Sequence, residues 1–255
     1  MTDRGVVYAC SHKRWLAETL TSARSCAAQM PDLRRQLFVT ETLYAETKSS
    51  IDAAFAEVFV LPATAHAHRP RFEATLQTDL GEAIFIDGDT FFISPVYELF
   101  DILADFDIAV ALAPQYFSPQ AVTLKVYDLL PAVSTALPEW NTGVIVARVD
   151  DAFRVMVTSW SELFEKAQAV GFRMDQASFR SAVIKSGLRI ATLPNNYNFR
   201  ANIGNNLARD VKILHAHGEL EKIAGYINAK TSMRVYVPKQ GEIYGFSPRP
   251  VSLED

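Results

Sequence analysis

Ile84-Phe85-Ile86-Asp87-Gly88-Asp89-Thr90 passes abruptly from an apolar run into two carboxylates separated by one glycine. A short, continuous apolar run reads as a strand buried on both faces. In open α/β sheets, ligands collect at the carboxyl ends of such strands. Two carboxylates held there repel each other unless a cation lies between them. The stretch therefore predicts a buried strand that ends in a divalent-metal site.

Reading outward from it, the chain alternates strand and helix. Val6-Val7-Tyr8-Ala9-Cys10 reads as a first strand, with Ser11 as the N-cap of the helix that follows. Leu16, Leu20, Ala23, Cys26, Ala27 and Met30 keep helical spacing, and Pro31 stops it. Gln36-Leu37-Phe38-Val39-Thr40 and Val58-Phe59-Val60-Leu61 are further strands, and Pro70 opens a helix to about Thr78. Ile108 to Leu112, Gly143 to Ala147, Arg189 to Ala191 and Val211 to Leu214 continue the series. A helix with Phe153, Met156, Trp160, Leu163 and Phe164 on one face ends at Gly171, and another runs from about Asp175 to Lys185. Leu193 to Asn206 is rich in asparagine and reads as a loop. This grammar predicts an α/β fold: one domain over 1–255 with a mixed, mostly parallel, twisted sheet flanked by helices. Residues 1–90 form its first half, 91–237 its second, and 238–255 a loosely packed tail, after a last strand within the stretch from Lys230 to Lys239.

The 255 residues are 49% apolar and 21% charged, as in an ordinary water-soluble core. With 25 basic and 29 acidic residues the net charge is −4, which argues against a nucleic-acid-binding footprint. Cys10 and Cys26 make no metal-type spacing and read as reduced, buried thiols. No basic segment followed by an apolar core opens the chain, and no apolar run reaches the roughly 20 residues that span a bilayer. The expected location is the cytoplasm, with room for peripheral contact at the inner membrane face.

Element lengths bring an arginine to the carboxylates. A helix from Pro70 to Leu80 is about 16 Å long. The returning strand, Ala83 to Asp87, is also about 16 Å long. The helix therefore starts level with the strand's end, and Arg71 faces Asp87 and Asp89. A guanidinium and a helix N-terminus beside a metal suit a phosphate or diphosphate. His215 also ends a strand and suits as a third ligand. Gly218 opens a helix whose backbone can approach a phosphate closely. The pairs His66/His68 and His215/His217 suggest zinc, but no matching cysteine or histidine set accompanies them.

These residues in this order resemble the GT-A glycosyltransferases, specifically the glycogenin and lipopolysaccharide galactosyltransferase group. The segments that carry the resemblance are Arg71-Phe72, Ile84 to Thr90, Asn141-Thr142-Gly143-Val144, Asp175-Gln176, Leu193-Pro194-Asn195-Asn196-Tyr197-Asn198 and Leu214-His215-Ala216-His217-Gly218. The resemblance implies a nucleoside-diphosphate sugar donor, usually a UDP-sugar, bound with Mn2+ or Mg2+, and transfer with retained anomeric configuration. It implies that Asp87, Asp89 and His215 ligate the metal and that Asp87 also touches the ribose, with Gly88 between. Arg71 would lie near the diphosphate and donor sugar and Asn141 beside that sugar, and Asp175 with Gln176 near the reacting carbon. Tyr8, Ala9 and Ser11 would line the nucleoside pocket, although the usual threonine-aspartate after the first strand is missing. Gly218 would approach the phosphates. The family's lysine three residues beyond it is Glu221 here, with Lys222 one place late. The implied acceptor is a glycan, a lipid-linked oligosaccharide or a small molecule, as in polysaccharide biosynthesis.

Three other readings fit parts of the pattern. Asp-Gly-Asp-Thr resembles the first motif of haloacid-dehalogenase-type phosphatases, but that motif lies on a first strand and its later partner is missing. A sugar-phosphate nucleotidyltransferase wants a glycine-rich basic loop, whereas Ala9 to Arg14 has no glycine. A non-catalytic sugar-nucleotide-binding protein predicts donor binding without transfer.

Overall fold

Runs of Val, Ile, Phe and Leu with no polar interruption cannot face water on either side, and here they pair with one another. The computed structural model describes residues 3–62, 69–113, 130, 133–134, 136–203, 205–229, 234–237 and 242–245. In chain order the first strands are β1 (Arg4–Cys10), β2 (Arg34–Thr40), β3 (Glu57–Leu61), β4 (Glu82–Ile86), β5 (Thr90–Phe92), β6 (Ile108–Leu112) and β7 (Trp140–Arg148). They are followed by β8 (Ile190–Leu193), β9 (Phe199–Arg200), β10 (Asn205–Leu207), β11 (Ile213–His215), β12 (Arg234–Val237) and β13 (Glu242–Gly245). The helices are α1 (Lys13–Gln29), α2 (Glu41–Asp52), α3 (Arg69–Gln77), α4 (Glu98–Asp101), α5 (Asp151–Ala169), α6 (Gln176–Lys185) and α7 (Leu220–Ile227).

Among the described residues the central sheet has seven strands in the order β3-β2-β1-β4-β7-β6-β8. The pairs β1·β2, β2·β3, β1·β4 and β6·β8 are parallel, and β7 runs against both β4 and β6. This is the mixed, mostly parallel sheet that the sequence predicts. The pleat sends alternate residues to opposite faces. Val6, Tyr8, Leu37, Ile84, Ile86 and Val144 pack under α1 and α2. Val7, Phe38, Phe85 and Ile145 pack against Phe72 and the aromatic face of α5 and α6, with Phe153, Trp160, Phe164 and Phe179. Both faces are covered, which explains the unbroken apolar runs.

A smaller sheet, β5-β11-β9, and a third, β10-β12-β13, close over Phe199, Leu214, Leu220, Ile227 and Tyr236. Among the described residues no helix is long and apolar enough to cross a membrane. Cys10 and Cys26 are free, buried thiols.

Several local expectations change. The N-cap of α1 is His12 rather than Ser11, because its Nδ1 accepts from Arg14 N at 3.2 Å. The asparagine-rich stretch holds a 3-10 turn at Asn195–Tyr197, then β9 and β10. The expected tail contains β13, paired antiparallel with β12. The unexpected α2 buries only Leu43 and Ile51, and Thr47 kinks it by bonding back to Leu43 O at 2.6 Å, so its apolar stripe is weak. His66 and His68 lie outside the described residues.

Trp160 is 1% exposed and meets Phe72 and Phe179 edge-on, with ring centroids 4.9 Å away in both cases. Replacing Trp160 by alanine should cost about 3–5 kcal/mol, as for a large buried aromatic. A urea-unfolding midpoint that barely moves would contradict this packing.

Candidate active site

The chain leaves β4 at Ile86 and enters β5 at Thr90, and backbone and hydroxyl hydrogen bonds hold the turn between them. Asp87 N–H donates to Gly143 O at 2.9 Å, which extends the β4·β7 ladder by one residue. Thr90 Oγ1 donates to Asp87 O at 2.8 Å and takes a bond from Ser22 Oγ at 2.7 Å. Thr90 then stands opposite His215 in the β5·β11 register, and Ala216 N–H donates to Asp89 O at 3.0 Å. Strand pairing thus carries His215 to the two aspartates. Two glycines make room. A Cβ at Gly88 would strike the Thr19 hydroxyl of α1, and one at Gly143 would overlap the His215 imidazole.

His215 Nε2 lies 3.7 Å from Asp87 Oδ2 and 3.4 Å from Asp89 Oδ1, and ligand atoms of all three residues fall within 4.8 Å of one another. Adjacent ligands of an octahedral ion with bonds of about 2.1 Å are roughly 3 Å apart, so the separations suit a shared cation. The imidazole is oriented for the task. Its Nδ1 faces Asn198 Oδ1 at 2.7 Å. Asn198 Nδ2 donates to Asn141 Oδ1 at 2.8 Å, and Asn141 Nδ2 donates to Gln176 Oε1 at 3.3 Å. With its nitrogen thus committed, Asn198 offers only its oxygen to the ring. A proton on Nδ1 would satisfy that oxygen and leave the Nε2 lone pair for a cation held between the carboxylates. Two carboxylates and one imidazole fit Mn2+, and Mg2+ less closely.

Arg71, on the first turn of α3, does reach this edge. Its Nη1 lies 3.3 Å from Asp87 Oδ1 and 3.2 Å from Asp175 Oδ2, and its Nη2 donates to Thr142 O. Trp160 backs the guanidinium, 5.4 Å from ring centroid to Cζ, and its Nε1–H donates to Asp175 O at 3.1 Å. Thr142 Oγ1 donates to Asp175 Oδ1 at 3.0 Å, so both Asp175 oxygens are engaged. Burial opposes the Arg71 charge, but Asp87, Asp175 and Asp89 outweigh it and raise the pKa above the usual guanidinium value. Burial also lifts the Asp87 carboxyl above the usual carboxylate range, against the pull of Arg71 and His215. Its side chain is 34% exposed, so cleft water moderates that effect. On Asp89 burial acts the same way but loses to the His215 hydrogen bond and the nearby imidazoles, which hold its carboxyl down at about 2.

These groups line a cleft of about 500 Å3 together with Ala9, Ser11, Gly88, Asn141 and Gln176. Tyr8, expected at its nucleoside end, does not line it. The pleat of β1 turns its ring into the core against Phe55, with ring centroids 5.3 Å apart. Gly218, with φ +110°, and Lys222 border a neighbouring cleft of about 430 Å3 on the other side of Asp89. The Lys222 side chain is exposed and lies 3.8 Å from Glu219. His217 lies on the other side of Asp89, its Nδ1 3.6 Å from Oδ2: its ring stacks on Trp15 at 4.7 Å, and its Nδ1 meets Glu18 Oε2 at 3.0 Å.

Sequence reading alone misses Trp15, Glu18, Thr142, Asn198, Arg173 and Arg200. Asn198 was visible as part of the asparagine-rich stretch and Thr142 as the neighbour of Asn141. The others carry no signal until the chain folds.

No family model matches the chain, and a search of curated proteins finds no sequence relative. Solved structures do match. Galactosyltransferase LgtC, in complex with donor and acceptor sugar analogues, superposes with a TM-score of 0.61 at 14% identity, over 84% of this chain and 87% of that one. Mouse xyloside xylosyltransferase 1 gives 0.54 at 13% identity, over 84% and 98%. The glycosyltransferase GlyE of Streptococcus pneumoniae TIGR4 gives 0.51 at 13% identity, over 78% of this chain and 48% of that one. At these identities the likeness is one of fold: the chain has the GT-A fold of the nucleotide-sugar transferases.

Asn198→Ala, which frees the His215 ring without removing a ligand, should weaken Mn2+ binding about 10- to 100-fold in a calorimetric titration. Unchanged affinity would remove Asn198 from the site. Acidification should also weaken Mn2+ binding. The lifted Asp87 carboxyl takes up its proton at higher pH than an ordinary carboxylate, and a cation must displace that proton. Affinity that is flat between neutral pH and pH 4 would contradict this assignment.

Proposed function

We propose that the protein is a divalent-metal-dependent glycosyltransferase. It moves a sugar from a nucleoside-diphosphate sugar, a UDP-sugar foremost, to a glycan or lipid-linked acceptor with retention of anomeric configuration. One observation carries the reading: in a GT-A fold, the Asp87–Asp89–His215 triangle and Arg71 meet at one edge of one cleft.

Breaking the bond between the anomeric carbon and the phosphate oxygen leaves a nucleoside diphosphate with growing negative charge. Asp87, Asp89 and His215 would hold the ion, which when bound supplies Lewis-acid stabilisation of that leaving group. Arg71 adds a fixed cation that needs no reorganisation during the reaction, because Asp87, Asp175 and Thr142 already hold its guanidinium. Asp175 is poorly suited as a nucleophile, since Thr142 and Arg71 occupy its two oxygens. Gln176 is a poor nucleophile by chemistry, and its Oε1 is spent on Asn141. A same-face attack by the acceptor, with the departing phosphate taking the acceptor's proton, therefore fits better than a covalent intermediate. Asp175 then serves to position Arg71.

The first test is a thermal-shift screen of nucleotide sugars with Mn2+. UDP-sugars should raise the melting temperature, and a screen with no shift for any of them would sink the reading. Released nucleoside diphosphate, measured with and without Mn2+, separates a transferase from a protein that only binds its donor. Arg71→Ala should lower turnover by about 100-fold or more, the usual cost of losing a preorganised charge partner. Asp175→Asn with full activity would remove any part for that carboxylate.

A further inference from the structure

Each carboxylate that lines the cleft already faces a guanidinium or an imidazole within it. Asp87 faces Arg71 and His215, Asp89 faces His215 and His217, Asp175 faces Arg71, and Glu18 faces His217. Arg14 lays its guanidinium over the Trp15 ring at 3.9 Å. That stacking holds Arg14 in place without pairing its charge, and two further arginines of the lining are not stacked. Among the described residues Arg173 and Arg200 form no ion pair, and Arg200 Nε is buried with no hydrogen-bond partner.

Their placement is fixed by the fold. Arg200 stands directly opposite His215 in the parallel β9·β11 register, so the two side chains leave the same face of that sheet. Arg173 lies in the short link between α5 and α6, just ahead of Asp175 and Gln176. The hydrogen-bond chain His215–Asn198–Asn141–Gln176 thus has one free arginine near each end. A guanidinium cannot shed its proton, and a half-buried one with an unbonded N–H is costly until an acceptor arrives. Its fork of donors matches carboxylate and phosphate oxygens. A donor diphosphate would have its own cations in Arg71 and the ion that Asp87, Asp89 and His215 would hold, so these two charges are left for a second anion.

We propose that Arg200, through its unpartnered Nε, receives a carboxylate or phosphate group on the acceptor, with Arg173 adding a second positive charge to the same cleft, which makes this protein selective for acidic acceptors over neutral sugars. This rests on the transferase reading above.

The test uses the full chain with Mn2+ and UDP, titrated by ligand-observed NMR with methyl glucuronide, glucose 6-phosphate and uncharged methyl glucoside. At least one of the charged sugars should bind about tenfold more tightly than methyl glucoside, the equivalent of one charge-assisted hydrogen bond. The double substitution Arg173→Gln and Arg200→Gln should erase that preference and leave UDP affinity unchanged. Arg200→Lys, which keeps the charge but loses the fork and disturbs packing least, should retain part of the preference. Equal binding of charged and neutral sugars by the wild type overturns the subsite. So does a fall in UDP affinity in the double variant that matches its loss of acid-sugar binding, because the arginines would then serve the donor. If the wild type fails to bind UDP with Mn2+, the transferase reading falls. The same titration without nucleotide then decides the subsite: an arginine-dependent preference for charged sugars supports it, and no preference overturns it.

Discussion

The pairing of β5 with β11 is the constraint on which the cleft depends. Two carboxylates one residue apart push each other away, and a nearby imidazole does not by itself hold them. Backbone does. The ladder that sets Thr90 opposite His215 continues as Ala216 N–H to Asp89 O, while Asp87 N–H is taken by β7. Each aspartate is therefore pinned by a different sheet. The loop that this pairing closes is long, but loop-closure cost grows only slowly with length. Tight packing beneath it, around Leu214, Phe199 and Tyr236, offsets that cost.

The site works against the stability of the molecule that holds it. A buried arginine, a lifted aspartate and a depressed one stand together at one sheet edge, and none would be chosen for a core. The stabilising work is done elsewhere, by two apolar layers that sandwich the central sheet. Trp160 links the two regions. Its ring belongs to the aromatic layer, while its face backs Arg71 and its N–H caps the Asp175 carbonyl. A change in core packing there reaches the charges directly.

Most of the central sheet was legible because its strands are long and apolar on both faces, so pattern and burial agree. The elements that build the site's far wall were not. β5 and β9 are three and two residues long and exist only because β11 lies between them. No local propensity marks them. Arg71 was legible because helix and strand lengths alone bring it level with Asp87. Tyr8 is misplaced because it lies one residue too far inside β1: both faces of that strand are core at this level, and only Ala9, Cys10 and Ser11 reach the cleft. Asn198 shows the limit from another direction. Its residue type suggested a loop, whereas its part is to direct an imidazole, which becomes visible only once residues 141, 198 and 215 converge.

The amide chain from His215 to Gln176 has a polarity. Each member donates in one direction, so no single amide can flip without stranding a neighbour. The tautomer at the imidazole and the orientation of the Gln176 amide are thus one choice made together. Hydrogen bonds in series also polarise one another. An ion that drew electron density from Nε2 would make Nδ1–H a stronger donor, and the pull would pass through Asn198 and Asn141 to the far amide. Occupancy at the aspartates would then alter the polarity of the Gln176 amide without touching it.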